Sequence, residues 1–146
     1  ADPGVDTAFV QHNHSRSSKD TLRGLHFQTQ PGQAKLLRCP RGSIFDVAVD
    51  LRRDSATFGQ WEGHVLDDVN HHQLYVPVGF AHGFCVLSDV ADVTYLVSSI
   101  YDPETEAGIS WNDPEVGVEW PVDEPLLSER DKSAPRLSEV AADLPF

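Results

Sequence analysis

Short runs in which apolar and polar residues alternate are the feature that most constrains the fold of this chain. A period of two places successive side chains on opposite faces of a β-strand, and the 3.6-residue period of a helix is scarce here. The alternating runs cover residues 9–13, 34–38, 43–50, 61–66, 73–76, 83–87 and 93–98. Many short strands at regular spacing are typical of a sandwich or a barrel.

Turn-forming residues separate these runs, at 40–42, 53–55, 67–70, 77–79, 88–89 and 102–103. Only the tail, at about residues 137–144, has the pattern of a helix. A chain of 146 residues is of the size of one domain. The sequence therefore predicts a single all-β domain over residues 1–146, an antiparallel jelly-roll barrel with a short C-terminal helix. Barrels of this kind enclose a pocket that alternate residues of the strands line.

Composition argues against several partners and locations. The net charge of −12 disfavours nucleic acid or an anionic membrane as a partner. No apolar run approaches the roughly 20 residues that span a bilayer, and no signal-peptide pattern is present. Two cysteines, Cys39 and Cys85, are too few for a disulfide framework. We therefore expect reduced, buried thiols and a cytoplasmic location.

The charge is unevenly distributed along the chain. Residues 1–41 contain six Lys or Arg and three acidic residues, so this part carries +3, whereas residues 42–146 carry −15. Scattered surface charge explains this as well as a binding site does. The locally basic first part could nevertheless bind one small anion.

The stretch LYVPVGFAHGF, at residues 74–84, contains a histidine, His82, that could be a metal ligand. Metal-binding barrels of the cupin type use about three convergent ligands, commonly an H-x-H pair, a carboxylate and a later histidine. His12 and His14 form an H-x-H pair, but the nearest following carboxylate is Asp20. The opposite face of that strand is also a good candidate for the pocket. We therefore favour a hydrogen-bonding role for His82, with a substrate or within the core, over a metal site.

Two basic residues and a histidine are further candidates for chemistry. The segment TLRGLHFQ places Arg23 and His26 three positions apart, and Lys35 follows at the start of AKLLR. A lysine on a strand between apolar residues is costly to bury without an anionic partner. The alternative is a lysine at a sheet edge that extends its charge into water.

Tyr95, Tyr101 and Asp131 have ordinary structural interpretations when each is taken alone. Tyrosines on strands usually pack in the core with the hydroxyl hydrogen-bonded at its rim. A single aspartate in LSERDKSAP is typical of a turn or of the surface. These three residues therefore need a wider pattern before a function can be assigned to them.

Such a pattern exists over about residues 9–135, where the sequence resembles the family of dTDP-4-dehydrorhamnose 3,5-epimerases and their relatives in antibiotic-sugar biosynthesis. The resemblance depends on long stretches in the same order as in the family. They are FVQHNHSRSS, LRGLHFQ, QAKLLR, GSIFDVAVDLRRDSATFGQW, LYVPVGFAHGF, TYLVSSIYDPETEAGISWNDP, VEWP and LSERDKSAP.

The resemblance implies a cupin-like jelly-roll homodimer that uses no metal and no organic cofactor. It implies a thymidine-diphosphate 4-keto-6-deoxy sugar as substrate. By position, His26 resembles the general base of the family and Asp131 its hydrogen-bonded partner. Tyr95 resembles the general acid on the opposite face of the sugar, and Lys35 the residue beside the enolate oxygen.

The resemblance also implies a set of substrate-binding residues. Arg23 resembles a contact to the diphosphate, which a guanidinium can bind through two hydrogen bonds. The positions at which the family lines its sugar pocket are occupied by Gln11, Asn13, His82 and Tyr101.

This chemistry requires these residue types. A ketone at C4 acidifies the hydrogens on C3 and C5, because loss of either gives an enolate. Inversion removes a proton from one face and returns one to the other, so a base and a separate acid are expected. A neutral histidine suits the base, and a carboxylate on its other nitrogen holds the tautomer.

Three alternatives remain open at the level of the sequence. The first is an epimerase that inverts C3 alone or C5 alone. The second is a metal-dependent cupin oxygenase or isomerase. The third is a sugar-nucleotide binder without catalysis, which has no need for both an acid and a base.

The chain differs from the family at its start. Members usually carry a further N-terminal segment with an Arg-Gly-x-Phe-type stretch, which reaches the partner subunit and the nucleotide base. Here only ADPGVDT precedes the first matching stretch. A trimmed, an incompletely recorded and a truly short chain all remain open, and in each case base recognition and the exchanged strand of the dimer are left undetermined. The remaining barrel would expose a sheet edge that must pair or be covered.

Overall fold

The computed structural model describes residues 6–146, and two facing antiparallel sheets dominate them. The nine strands are β1 (Gln11–Ser18), β2 (Leu22–Gln28), β3 (Lys35–Arg41), β4 (Ser43–Asp50), β5 (Trp61–Asp67), β6 (Leu74–Val76), β7 (Phe80–Val86), β8 (Val90–Val97) and β9 (Glu106–Gly108). One sheet has the order β1-β8-β3-β6 and the other the order β5-β4-β7-β2-β9. The predicted all-β jelly-roll class is confirmed.

The predicted strands lie at the positions of observed strands, but their predicted lengths agree less well. The prediction for β4 matches both ends, whereas β1 continues to Ser18, well beyond the predicted run at 9–13. The strands β2 and β9 were not among the alternating runs. The strand β2 is buried on both faces, so its sequence does not alternate.

The space between the sheets holds one hydrophobic core. It combines Leu37, Cys39 and Val93 of the four-stranded sheet with Ile44 and Phe84 of the five-stranded sheet, among others. As expected, Cys39 and Cys85 are both buried and free. This core occupies one part of the interior, and the remainder holds polar side chains.

A second core covers the outer face of the five-stranded sheet. Leu25 of β2 and Val47 of β4 pack there against Ile109, Leu137 and Leu144 of the C-terminal part of the chain. Alternate residues of β4 therefore belong to different cores, which explains why this strand is buried on both sides. The C-terminal segment thus completes the fold as an outer layer.

The helical content is small, and the prediction was incomplete. The helix predicted at 137–144 is present as α2 (Leu137–Val140) followed by a 3₁₀ turn (Ala141–Asp143). The predicted short C-terminal helix is confirmed, and a further short helix that was not predicted, α1 (Glu129–Lys132), precedes it. A four-residue helix is too short for its periodicity to be visible in a sequence. None of the helices within residues 6–146 is long and apolar enough to cross a bilayer.

A glycine in β2 interrupts the regular alternation of that strand. Gly24 has a φ of +130°, and the pairing of β2 with β7 shifts register between Arg23 and His26. Residues three apart on a regular strand face opposite sides, but a bulge changes this parity. Arg23 and His26 consequently both reach the space between the sheets.

Candidate active site

A cavity of about 490 Å³ opens between the two sheets, beside the inner core. Each sheet contributes one wall, and the segment around α1 closes one side. The lining residues are Ser15, Arg23, His26, Lys35, His82, Phe84, Tyr95, Ser128, Arg130 and Asp131. An adjoining recess of about 90 Å³ shares three of them, His26, Lys35 and Tyr95.

The two walls carry different groups. His26 on β2 and His82 on β7 are paired in register and belong to the five-stranded sheet. Lys35 on β3 and Tyr95 on β8 belong to the four-stranded sheet, where both strands present alternate residues inward. The imidazole of His26 therefore lies across the cavity from the phenol of Tyr95. A flat molecule between the sheets would present one face to each.

Asp131 is brought to His26 by the segment that precedes α1. The backbone of this segment pairs with the start of β2, where the Leu22 amide donates to the Leu126 carbonyl at 3.0 Å. Ser128 caps α1, and its Oγ accepts a hydrogen bond from the backbone amide of Asp131. These contacts place the Asp131 Oδ1 2.6 Å from the Nε2 of His26.

Asp131 remains ionised although it is buried. Burial opposes its negative charge, but hydrogen bonds with His26, the Gly24 amide and the Ser128 side chain outweigh burial and hold the pKa of Asp131 below its ordinary value. An ionised carboxylate only accepts hydrogen bonds, so Nε2 of His26 must be the donor. A neutral His26 then keeps its lone pair on Nδ1.

Lys35 and Tyr95 form the opposite wall. The Nζ of Lys35 lies 6.0 Å from the centroid of the Tyr95 ring. Burial lowers the pKa of Lys35 to about 8, although Glu106 and Asp46 attract its charge. Burial also raises the pKa of Tyr95, and the charge of Glu106 adds to this rise. The phenol therefore holds its proton firmly, and the lysine lies where its charge is poorly hydrated.

Glu106 on β9 is a cavity residue that the sequence did not single out. Its Oε1 lies 2.6 Å from Nη2 of Arg130 and 3.7 Å from Nδ1 of His26. Burial opposes its charge, but Arg130 and Tyr101 outweigh burial and keep the pKa of Glu106 low. Among the fully buried side-chain oxygens and nitrogens of the described residues, only Oε2 of Glu106 has no hydrogen-bond partner. The three-residue strand that carries Glu106 shows no alternation by which it could have been found.

His82 is buried and is paired with Asp46, a residue of β4 that the sequence analysis did not single out. Both carboxylate oxygens of Asp46 lie 2.9 Å from Nε2 of His82. The available signal was a single acidic residue within the apolar run SIFDVAV, since such a residue needs a buried partner. His82 also lines the cavity, so it faces the core and the cavity at the same time.

The remaining predicted residues lie towards the edge of the site. The guanidinium of Arg23 donates two hydrogen bonds to Oγ of Ser17, at 3.1 and 3.0 Å. Asn13 and Tyr101 line the smaller recess. Gln11 lies outside the lining of both spaces, and its Oε1 accepts a hydrogen bond from the backbone amide of Tyr101.

The H-x-H pair does not point into the cavity. His12 and His14 are exposed on the face of β1 opposite Asn13 and Ser15, and His14 contacts Asp92 at 3.1 Å. Within residues 6–146, no three or more His, Cys, Asp or Glu side chains are grouped so as to hold a metal ion. The histidines of the cavity are each paired with an aspartate.

The fold is a double-sheet jelly roll whose cavity has a histidine–aspartate pair on one wall and a tyrosine and a lysine on the other, the arrangement of a cupin-like barrel with an enclosed polar site. The sequence model of the dTDP-4-dehydrorhamnose 3,5-epimerase family matches residues 1–139. The chain belongs to this family.

Individual relatives agree with this assignment. The dTDP-4-dehydrorhamnose 3,5-epimerase of Neisseria gonorrhoeae is 55% identical over 128 residues, which are 87% of this chain and 39% of that protein. The dTDP-4-dehydrorhamnose 3-epimerase of Streptomyces niveus is 50% identical over 138 residues, 94% of this chain and 67% of that protein. The chain thus spans less than half of the length of the first relative and about two thirds of the second.

Among solved structures, the fold is similar to that of dTDP-6-deoxy-D-glucose-3,5-epimerase from Legionella pneumophila Philadelphia 1 in complex with dTDP-4-keto-L-rhamnose. The TM-score is 0.94 at 47% sequence identity, and the match covers 97% of this chain and 77% of that one. The likeness therefore extends over both sheets and the C-terminal layer.

Proposed function

We propose that the chain inverts C3 and C5 of dTDP-4-dehydro-6-deoxy-D-glucose to give dTDP-4-dehydro-L-rhamnose. The observation that carries this proposal is the location of His26 and Tyr95 on opposite walls of one cavity. Inversion next to a ketone needs a base on one face of the sugar and an acid on the other.

In the proposed reaction His26 is the general base. Its Nδ1 lone pair takes the proton from the carbon beside the C4 ketone, and the electron pair of that C–H bond becomes the enolate. Asp131 accepts the Nε2 proton in a hydrogen bond at 2.6 Å and stabilises the imidazolium that forms. The tautomer is set before substrate binds, so none of the binding energy is needed to select it.

Tyr95 is the proposed general acid, which donates its phenolic proton to the same carbon from the other side. Lys35 is proposed to donate to the C4 oxygen, where negative charge develops. One preorganised donor of this kind commonly contributes on the order of 3–4 kcal/mol to transition-state stabilisation. The His26 imidazolium then releases its proton to water, and the Tyr95 phenolate takes one from water. A second round at the other carbon, with the same groups in their starting states, completes the double inversion.

The nucleotide part of the substrate is proposed to bind at the open end of the cavity. Arg23 is free to exchange its contacts with Ser17 for the diphosphate, which fits the basic first part of the chain. Asn13, His82 and Tyr101 are proposed to contact the sugar. Gln11 is also proposed to contact it, from a position beside the backbone of Tyr101.

We further propose a cytoplasmic homodimer. The two free, buried cysteines fit a reducing compartment. Apolar side chains of Val10 and Leu96 remain exposed, by 58% and 36%, where β1 and β8 lie side by side. Light scattering on the purified protein measures the mass directly, and the monomer mass would contradict the dimer.

An epimerase of a single centre is the second candidate. The Streptomyces niveus relative, a 3-epimerase by name, is about as similar in sequence as several 3,5-epimerases. A change of specificity of this kind requires only small changes in how the sugar lies between the same acid and base. The two candidates share the proposed roles of His26 and Tyr95.

One experiment tests the function and separates the candidates. The protein is incubated with dTDP-4-keto-6-deoxyglucose in deuterated water, and the product is analysed by NMR. Deuterium at both C3 and C5 supports the double epimerase, and deuterium at one carbon supports the single one. We expect His26→Ala to abolish exchange at every position. Exchange at the wild-type rate in that variant would exclude His26 as the base.

A further inference from the structure

A second histidine–aspartate pair lies beside the cavity: His82 belongs to the lining, and Asp46 lies behind it. We propose that Asp46 is a positioning residue that fixes His82 as a hydrogen-bond acceptor for a hydroxyl group of the sugar. This inference rests on the proposed function for its ligand, but the state of His82 can be measured without any ligand.

The side-chain hydrogen bonds of Asp46 both go to His82. Asp46 is fully buried, and its side chain makes hydrogen bonds to no other residue of the described part of the chain. Its strand, β4, pairs with β7 so that Ala48 lies opposite His82 and Asp46 lies opposite Phe84. A carboxylate buried in an apolar strand is expensive unless it is paired. The hydrogen bonds with His82 and the nearby charge of Lys35 therefore compensate the burial of this acidic residue.

The pairing decides which ring nitrogen carries the proton. A carboxylate accepts, so Nε2 of His82 donates to Asp46, and in the neutral ring Nδ1 is left with its lone pair. Within residues 6–146, Nδ1 of His82 makes no hydrogen bond. It is also not one of the fully buried side-chain atoms that lack a hydrogen-bond partner, so it is accessible. Because His82 lines the cavity, this atom is available to a ligand there.

Burial separates the role of His82 from that of His26. The side chain of His82 is 7% exposed, whereas that of His26 is 26% exposed. Burial lowers the pKa of His82 despite Asp46, and the nearby charges of Lys35 and His26 lower it further. A proton on Nδ1 would create another cation beside Lys35, so this ring stays neutral.

A neutral ring with an outward lone pair has a defined use. It cannot donate to the C4 oxygen, so that task is left to Lys35. The imidazole of His82 can accept a hydrogen bond from a hydroxyl of the sugar. This contact fixes the rotation of the sugar ring between His26 and Tyr95. A histidine without Asp46 could adopt either tautomer and would lose this discrimination.

The first test uses the ligand-free protein labelled with ¹⁵N. Two-bond hydrogen–nitrogen correlation spectra distinguish protonated from bare ring nitrogens, and the spectrum of His82→Gln assigns the His82 signals. We expect a bare Nδ1 and a protonated Nε2 in the wild type, and a mixed or reversed tautomer in Asp46→Asn. The matched control Asp113→Asn changes another buried aspartate outside the cavity and leaves the His82 signals unchanged. A protonated Nδ1 in the wild type would overturn the proposal.

The second test asks whether Asp46 acts through His82. We expect Asp46→Asn to lower kcat/KM roughly tenfold or more in the wild type but only marginally in the His82→Gln background, as for coupled residues. Glutamine still offers an N–H to Asp46, so the background retains a partner for the carboxylate. An equal loss in both backgrounds would overturn the proposal. A wild type without epimerase activity would overturn the proposed function, and the tautomer result would still decide the role of Asp46.

Discussion

Nε2 of His26 lies 2.6 Å from Oδ1 of Asp131, although 105 positions separate the two residues in the sequence. The contact depends on two separate structural features. A bulge at Gly24 turns His26 inward, and a backbone pairing between β2 and the segment before α1 brings Asp131 to it.

Asp131→Asn is expected to lower kcat by about 10²–10⁴-fold, because an amide can donate to His26 and stabilise the wrong tautomer. The loss is measured as the rate of deuterium incorporation at saturating substrate. Glu129→Gln is the control, since Glu129 belongs to the same helix and its side chain is 91% exposed. Full activity in Asp131→Asn would show that the pair has no role in proton removal.

Tyr95→Phe is expected to slow inversion by roughly 10²-fold or more while it slows exchange much less. The reason is that His26 can still remove and return a proton on its own face without an acid opposite. Both rates come from the same NMR experiment, one from deuterium content and the other from the configuration of the product. Equal losses of the two rates would argue against Tyr95 as the acid.

Lys35→Met is expected to lower kcat by about 10²–10³-fold, since it removes a fixed charge beside the developing enolate. The same change is expected to raise the free energy of unfolding at pH 7 by on the order of 1–3 kcal/mol. Denaturant unfolding measures the second effect. A variant that is both inactive and less stable than the wild type would show that Lys35 is mainly structural.

The pH dependence of the wild type is expected to reflect Lys35. Its pKa is lowered to about 8, so the cation is present below that pH and is lost as the pH rises through it. We therefore expect kcat to fall above about pH 8 in the wild type. The stability has the opposite sign: the cost of burying the charge is present below about pH 8 and disappears towards 10.5, the ordinary lysine value. The pH profile of Lys35→Met is expected to lack this alkaline fall.

Gly24→Ala is expected to destabilise the fold by roughly 2 kcal/mol or more. An added Cβ would lie 2.6 Å from Cα of Gly83 and 2.8 Å from the His82 carbonyl, and the φ of +130° is itself unfavourable. Gly59→Ala is the matched control, because Gly59 also has a positive φ but its Cβ would meet no atom closer than 3.7 Å. Similar losses in the two variants would mean that φ alone, and not the close approach of β2 to β7, explains the effect.

The prediction from sequence was strongest where structure is local. Alternation located most strands, and β4 was predicted to the residue because its turns are clear at both ends. It failed for α1 and β9, which are too short to show a period, and for β2, which is buried on both faces. Short or doubly buried elements take their structure from their neighbours, so their own residues carry little signal.

For the candidate site, too, the residues in recognisable stretches were predicted, and those defined by distant contacts were not. His26, Lys35, Tyr95 and Asp131 were selected through stretches resembling a family, and the structure brings all four to one cavity. Glu106 and Asp46 were missed. The apolar run around Asp46 indicates that it needs a buried partner, but the local sequence of neither carboxylate shows which cation or imidazole it contacts. Such partners are defined by contacts between sheets, and no single stretch of sequence contains them.

The sequence by itself determined the class of fold and the residue types available for proton transfer, because strand periodicity and side-chain chemistry are properties of short segments. Only the tertiary structure decided which histidine nitrogen is bare, which wall faces which, and which charges are buried together. Those properties depend on register, on one bulge and on the docking of the C-terminal layer, all of which join residues far apart in the chain.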